Sequence, residues 1–329
     1  MRSYDVMPAC SRRDVLKSAS VLVGGLVAGT PLAASESPAS KPPAADASGR
    51  PRMCLFSKAL QNRPFTELPP MLTEFGVDAV DLTCRPGGHV LPERVTDDLP
   101  QAFAMFKAAS IAVPMITTAI TDAHEPHAEA TIRTAAALGI RHAKIGYYRY
   151  RDLSRIHETM ADVKGKIRDI AALCSQYGVT AGFHNHSGVY VGAPMWDLGQ
   201  LLEGLDPRAI GSYFDLGHAT AEGGLGGWQI GLNLLLDRIS IVGIKDMAYM
   251  RDENGRWRPV WGPLGEGMVR FDEAFTILKE AHFAGPIALH VEYGAYTAPV
   301  GSDEDRRNIA FIRRDVATLK KLLQDCGLA

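Results

Sequence analysis

Tyr177-Gly178-Val179-Thr180-Ala181-Gly182-Phe183-His184-Asn185-His186 carries the reading on which the fold rests. A long amphipathic segment, Ile156–Tyr177, runs into it and stops at Gly178. Glycine tolerates the left-handed conformation that ends a helix. The short run Thr180–Phe183 follows, too short for a helix and bounded like a buried strand. It then gives way at once to two histidines and an asparagine. The order is helix, glycine stop, strand, polar strand end.

The same order recurs on both sides. Short apolar runs occupy Met53–Phe56, Ala79–Leu82, Ala112–Thr117, His142–Gly146, Thr180–Phe183, Ile210–Phe214, Ile239–Ile244 and Ile287–Val291. Helix-like segments separate them: Phe65–Phe75, Val95–Ala109, Ala128–Leu138, Ile156–Tyr177, Met195–Leu205, Gln229–Leu236 and Asp272–Ala281. Asp303–Leu323 closes the chain. Gly76 and Gly139 punctuate two further helix ends as Gly178 does. Strands alternating with helices make a parallel sheet. Eight units suit a single closed (β/α)8 barrel over residues 51–329, a fold of about 250 residues. A doubly wound open sheet is the rival, but no G-x-G-x-x-G turn follows an early strand.

The first fifty residues do not share this pattern. Arg12-Arg13 precedes an apolar stretch, Val21–Ala28, and a small-residue zone at Leu32-Ala33-Ala34-Ser35. These are the parts of an export signal in order, and the paired arginines resemble a twin-arginine signal. The apolar stretch falls short of the roughly 20 residues a membrane span needs. We therefore expect a signal over residues 1–35, a disordered Ala/Ser/Pro linker over 36–50, contact with the twin-arginine translocation machinery, and a periplasmic or otherwise exported product.

The chain has 329 residues, 46% of them hydrophobic, and a formal net charge of −2. Aromatics are 8%, with no basic run among them. That leaves no electrostatic footprint for nucleic acid and no polybasic membrane patch. The five cysteines, Cys10, Cys54, Cys84, Cys174 and Cys326, form no C-x-x-C pair. They read as small buried hydrophobes rather than disulfides.

A barrel of this kind places its active site at the C-terminal strand ends. Polar groups stand at all eight: Ser57 and Lys58; Asp81, Thr83, Arg85 and His89; Thr117 and Thr118; Lys144, Tyr147 and Tyr148; His184, Asn185 and His186; Asp215 and His218; Lys245 and Asp246; Glu292. Glu253-Asn254-Gly255-Arg256 is a tight hairpin signal. With Trp257 and Trp261 it predicts a β-hairpin lid over the site.

Phe183-His184-Asn185-His186, Phe214-Asp215-Leu216-Gly217-His218, Ile244-Lys245-Asp246, Pro263-Leu264-Gly265-Glu266-Gly267 and His290-Val291-Glu292 occur in this order at barrel spacing. Residues 52–325 resemble the xylose isomerase-like barrel superfamily. That superfamily includes sugar isomerases and epimerases, inosose dehydratases and the endonuclease IV branch. The resemblance implies one divalent ion, manganese, magnesium, cobalt or zinc, held by His184, Asp215 and Glu292. It also implies a fourth ligand two residues before the Lys-Asp pair, where this chain has Gly243. Water, substrate oxygens or Lys245 would fill that place.

The chemistry such groups suit is removal of a proton next to a carbonyl, with a cation or donor stabilising the enediolate. Catalytic roles are expected at Glu292, Lys245, His218 and His186. Substrate contacts are expected at Lys58, Arg85, His89, Lys144, Tyr148, Asn185, Asp246, Glu266 and Trp261. Each has a plain structural rival: a satisfied core histidine, a buried ion pair at Lys58 or Lys144, a turn-orienting carboxylate at Glu266, or a lid packing on its own barrel. The expected function is a sugar isomerase or epimerase acting on a keto-sugar or related polyol. A lyase or dehydratase on a keto-sugar or keto-glycoside is its neighbour, and a non-catalytic carbohydrate-binding barrel a rival of another class. An endonuclease IV-like hydrolase would need more metal ligands and a basic groove. Homo-oligomers are common among barrels of this class.

Overall fold

The computed structural model describes residues 50–328. The expected export signal, and all of the linker but Arg50, lie outside the described residues. Eight parallel strands close a barrel: β1 (Met53–Phe56), β2 (Ala79–Thr83), β3 (Ala112–Thr117), β4 (His142–Lys144), β5 (Thr180–His184), β6 (Ile210–Asp215), β7 (Ile239–Ile244) and, after a hairpin, β10 (Ile287–Leu289). Met53 pairs with Ile287 and Leu55 with Val80, so β1 joins both ends of the sheet. The hairpin is β8 (Asp246–Arg251) with β9 (Trp257–Gly262), antiparallel from Asp246↔Gly262 to Arg251↔Trp257. It stands where the Asn-Gly signal placed it.

The helices are α1 (Leu68–Glu74), α2 (Val95–Ala108), α3 (Ala128–Ala137), α4 (Ile156–Tyr177), α5 (Met195–Leu202), α6 (Leu216–Gly223), α7 (Gly227–Leu234), α8 (Phe271–Glu280) and α9 (Asp303–Asp325). Each long one buries a stripe. In α4 it is Val163, Ile167, Ile170, Ala171 and Cys174; in α8, Phe271, Ala274, Phe275 and Leu278; in α9, Ile312, Val316, Leu319 and Leu323. These are i, i+3/i+4 spacings that face a sheet. Gly178 ends α4 at φ 65°, the left-handed stop the sequence calls for. Inside the barrel a separate small cluster, Met115, Tyr213, Ile241 and Ala288, fills the lumen, so the barrel is a packed core and not a pore.

Two features depart from the sequence reading. β10 ends at Leu289, two residues before the expected Val291, and β4 at Lys144. An additional helix, α6, starts directly after β6. Its N-cap is Asp215, in extended conformation, whose carboxylate accepts from the His218 backbone N–H at 2.8 Å. Asp at the N-cap satisfies an orphan amide of the first turn. The Asp-x-x-His spacing was therefore a cap signal as well as a site signal.

The turn after β1 is locked to α9. Arg63 donates to both Asp305 oxygens at 2.8 and 2.7 Å, with side chains 8% and 4% exposed. Among the described residues, Cys54, Cys84, Cys174 and Cys326 are free thiols, the first three buried. No described helix is long and apolar enough to cross a membrane.

Candidate active site

The barrel mouth is organised around one ammonium. Lys245, directly after β7, is 2% exposed. Its Nζ donates to Glu292 Oε2 at 2.7 Å and to His218 Nε2 at 2.8 Å, and lies 3.4 Å from Asp215 Oδ2. The Trp261 ring covers it at 4.6 Å and also packs on His218. Glu292 is shared: its Oε1 accepts from Lys58 Nζ at 2.6 Å. Burial opposes every one of these charges, but their neighbours outweigh it. Asp215 and Glu292 hold Lys245 above the ordinary lysine range. Lys245 in turn holds both carboxyls well below theirs.

Two of the site histidines are held toward the neutral form. Burial pushes His184 down to about 3, and burial followed by the charge of Lys245 pushes His218 well below its ordinary value. Their partners set the tautomers. Lys245 has only protons to give, so His218 Nε2 accepts, while Nδ1 lies 2.8 Å from Ser187 Oγ and 3.2 Å from the Ser187 backbone N–H. His184 Nε2 faces Asp215 Oδ2 at 3.2 Å and therefore donates, leaving Nδ1 to accept from Tyr147 OH at 2.6 Å. His186 Nδ1 donates to the Ser187 carbonyl at 2.9 Å, which leaves its Nε2 lone pair without a partner among the described residues. The His186 ring packs on His218 at 4.0 Å. Along the contact chain His186–His218–Lys245–Glu292, a proton acceptor stands at each end and the cation between.

Asn185 braces this cluster through the backbone. Its side-chain oxygen accepts from the Asp215 N–H at 2.7 Å and its amide donates to the Asp215 carbonyl at 3.0 Å. Lys144 places its Nζ over the Tyr147 ring at 3.5 Å, and Arg85 lies over Phe56 at 5.6 Å. Four expected substrate residues are turned to other work. His89 spends both ring nitrogens, on Thr83 Oγ1 at 2.8 Å and the Leu60 carbonyl at 3.2 Å. Tyr148 donates to the Thr121 carbonyl and stacks on Phe183; its neighbour Tyr147 is the tyrosine that meets the cluster. Asp246 accepts from the Met247, Gly265, Gly267 and Val269 amides, folding the Gly265–Gly267 turn rather than pairing with Lys245. Glu266 reaches outward to Arg314 at 3.3 Å. For His89, Tyr148 and Asp246 the reason is shared: nearby hydroxyl, carbonyl and amide groups need partners and take these side chains first; Glu266 is drawn outward by the Arg314 charge.

Sequence reasoning passed over His290. Phe56 stacks on it at 4.4 Å, and Tyr213 OH meets its Nε2 at 2.6 Å. Its Nδ1 is buried without a hydrogen bond, 3.9 Å from Asp215 Oδ2 and 3.7 Å from Glu292 Oε2. It lay inside a quoted motif, but an alternating strand end does not say which neighbour faces inward.

The chain matches the model of the xylose isomerase-like TIM barrel family over residues 71–315. It belongs to that family. The inosose dehydratase of Bacillus velezensis is 28% identical over 133 residues, 37% of this chain and 44% of that protein. The chain thus matches less than half the length of this curated relative. The D-allulose 3-epimerase of a Methylomonas species, solved in complex with D-allulose, superposes with a TM-score of 0.62 at 13% identity, covering 83% of this chain and 97% of that one. A xylose isomerase-like barrel from Mycobacterium smegmatis in complex with magnesium gives 0.61 at 14%, covering 85% and 98%.

His184, Asp215 and His218 can each offer a donor atom within 4.8 Å of the other two, the spacing a metal ion needs. His218, not Glu292, is the third member of that group. The cluster as folded fits an ammonium better than an ion. Both ring nitrogens of His184 and of His218 are engaged, and Lys245 Nζ already contacts His218, Asp215 and Glu292. An ion bonded at about 2 Å to the same donors would press against this like charge. Nor is there free room for a side chain at position 243. A Cβ there would lie 2.9 Å from Asp215 Oδ2 and 2.9 Å from Tyr213 Cε2.

Proposed function

We propose that this chain is an enzyme of the sugar isomerase, epimerase or dehydratase kind, working by proton transfer next to a carbonyl. One observation carries the reading: the buried Lys245 ammonium at the barrel mouth, in contact with Glu292 on one side and with His218 on the other, beyond which stands His186. Bound relatives' names support the substrate class, since both an epimerase of D-allulose and an inosose dehydratase share the fold or sequence.

The substrate carbonyl oxygen accepts a hydrogen bond from the Lys245 ammonium, in exchange for one of its present partners. The C–H bond at the adjacent carbon breaks, its proton passes to His186 Nε2 or Glu292, and the electron pair moves onto the oxygen beside Lys245. A donor aimed at developing charge in a buried site is worth about 10²–10³ in rate. Reprotonation of that carbon on the opposite face by a solvent-derived proton gives an epimer; reprotonation of the former carbonyl carbon, with the neighbouring hydroxyl's proton passing to the first oxygen, gives an isomer. Expulsion of a β-hydroxyl by the returning electron pair, the hydroxyl leaving as water with the proton that His186 or Glu292 has just taken, gives dehydration. Glu292 is a weak base while two lysines hold it; its basicity rises once the substrate draws Lys245 away.

A second reading rests on the donor spacing. A divalent ion, manganese, magnesium, cobalt or zinc, would be held by His184, Asp215 and His218 if Lys245 withdrew, and would polarise the carbonyl as a Lewis acid. Export through the twin-arginine route, read from Arg12-Arg13, is part of the proposal; cell fractionation tests it. Exchange of carbon-bound hydrogen for solvent deuterium, followed by NMR over a panel of ketoses, inososes and keto acids, tests the chemistry. Exchange that vanishes in Lys245→Met supports it. No exchange in any compound, or exchange unchanged in the variant, refutes it.

A further inference from the structure

Four basic side chains line the mouth: Lys58, Arg85, Lys144 and Lys245. Two are neutralised, since Glu292 binds both Lys58 and Lys245 and Asp215 adds to the second. The other two are not. Lys144 is 2% exposed. Among the described residues its Nζ has no hydrogen bond and no carboxylate within ion-pair distance, only the face of Tyr147. Arg85 is half-buried and likewise makes no side-chain hydrogen bond; its guanidinium rests on Phe56. The nearby carboxylate that might serve them, Asp81, is turned to Thr117, whose hydroxyl lies 2.9 Å from both its oxygens. Lys144 Nζ is not among the fully enclosed polar atoms without a partner, so the amine opens into the mouth, where a ligand rather than the fold can supply its partner.

The two groups face the same space. After burial, the charge of Arg85 is the next cause holding the Lys144 amine well below its ordinary value, and Asp81, Glu292 and Lys58 also act on it. Tyr147, under the Lys144 Nζ, bonds to His184. Phe56, under Arg85, stacks on His290. Arg85 follows β2 and Lys144 ends β4, so in the strand order both stand across the barrel from Lys245 at the end of β7.

We infer that Arg85 and Lys144 bind a carboxylate of the substrate, so that the substrate is a sugar acid or polyhydroxy keto acid and not a neutral ketose. The inference deepens the proposed function and rests on it for the location of the reaction. A carboxylate offers the planar pair of oxygens that a guanidinium fork grips. It also brings Lys144 the ionic partner that the fold withholds.

The test uses the full chain and calorimetry with D-gluconate and D-galacturonate against D-xylose and D-fructose, with D-fructose 6-phosphate alongside. Acids are expected to bind at least tenfold more tightly than neutral sugars, with affinity falling as salt rises. Arg85→Gln and Lys144→Met are each expected to lose at least tenfold for the acids, with melting curves confirming the fold. Should Lys144→Met fail to fold, Arg85→Gln on the rim carries the test. Equal binding of neutral sugars, tighter binding of the phosphate, acid binding unchanged in the variants, or binding of neither class overturns the inference. Deuterium exchange separates this from the reading beneath it. Acid binding without exchange refutes the proton-transfer reading alone, and exchange on neutral ketoses refutes the carboxylate site alone.

Discussion

Replacing Lys245 by methionine removes the charge while keeping most of the side chain's length. The two ion pairs it breaks, 2.7 Å to Glu292 and 3.4 Å to Asp215, are each worth about 5–6 kcal/mol gross at an effective dielectric near 20. Desolvation of the ammonium cancels much of that. Glu292 keeps Lys58, and Asp215 keeps the His218 amide and His184. What remains is the cost of leaving Asp215, fully buried, with no cation in contact, and broken buried pairs cost about 3–5 kcal/mol. We expect that loss in urea titration at pH 7. The pH dependence is a second signature. Asp215's depressed folded value contributes stability that is present above the unfolded value near 3.9 and lost as pH falls. Without Lys245 this contribution shrinks, so the gap between wild type and variant is widest at neutral pH and narrows below about pH 4. A variant within about 1 kcal/mol of wild type, or a gap that does not change with pH, would refute the role given to Lys245.

Metal analysis after dialysis against chelator is expected to find no stoichiometric divalent ion in the wild type. In Lys245→Met, manganese or zinc is expected to raise the melting temperature; stoichiometric metal in the wild type would favour the ion reading instead. Gly243→Ala puts a methyl 2.9 Å from Asp215 Oδ2 and Tyr213 Cε2, and such overpacking is expected to cost about 1–3 kcal/mol; a neutral result in urea would show that the site relaxes. Arg63→Ala leaves Asp305 buried without its bidentate partner and is expected to lose about 3–5 kcal/mol, read as a lower denaturation midpoint. Burial lowers His89 and His142 to about 4 and His184 to about 3, while burial raises Asp81 to about 6. His218 is also held well below its ordinary value, by burial and then the charge of Lys245, so at pH 5 four imidazoles are protonated only in the unfolded chain and Asp81 mainly in the folded one. Unfolding then takes up a net of about three protons, so stability falls by about 4 kcal/mol per pH unit on acidification there. A flat stability between pH 6 and 5 contradicts this.

The sequence by itself determined the barrel. Eight apolar runs, their glycine stops and the stripes of α4, α8 and α9 are patterns of period two and 3.6, and such periods are local. The Asn254-Gly255 turn was legible for the same reason. The sequence also placed His184, Asp215, Lys245 and Glu292 at strand ends. It did not show what they do to one another. His184 and Asp215 are 31 residues apart, and Lys245 and Glu292 are 47. Their meeting depends on barrel stagger and rotamer. Only the tertiary structure turned Asp246 toward the Gly265 turn, chose Tyr147 over Tyr148, and left Lys144 without a carboxylate. Above all it decided what fills the gap beside Gly243. The space is taken by Asp215 and Tyr213, so the positive charge comes from two residues further along the chain, at Lys245.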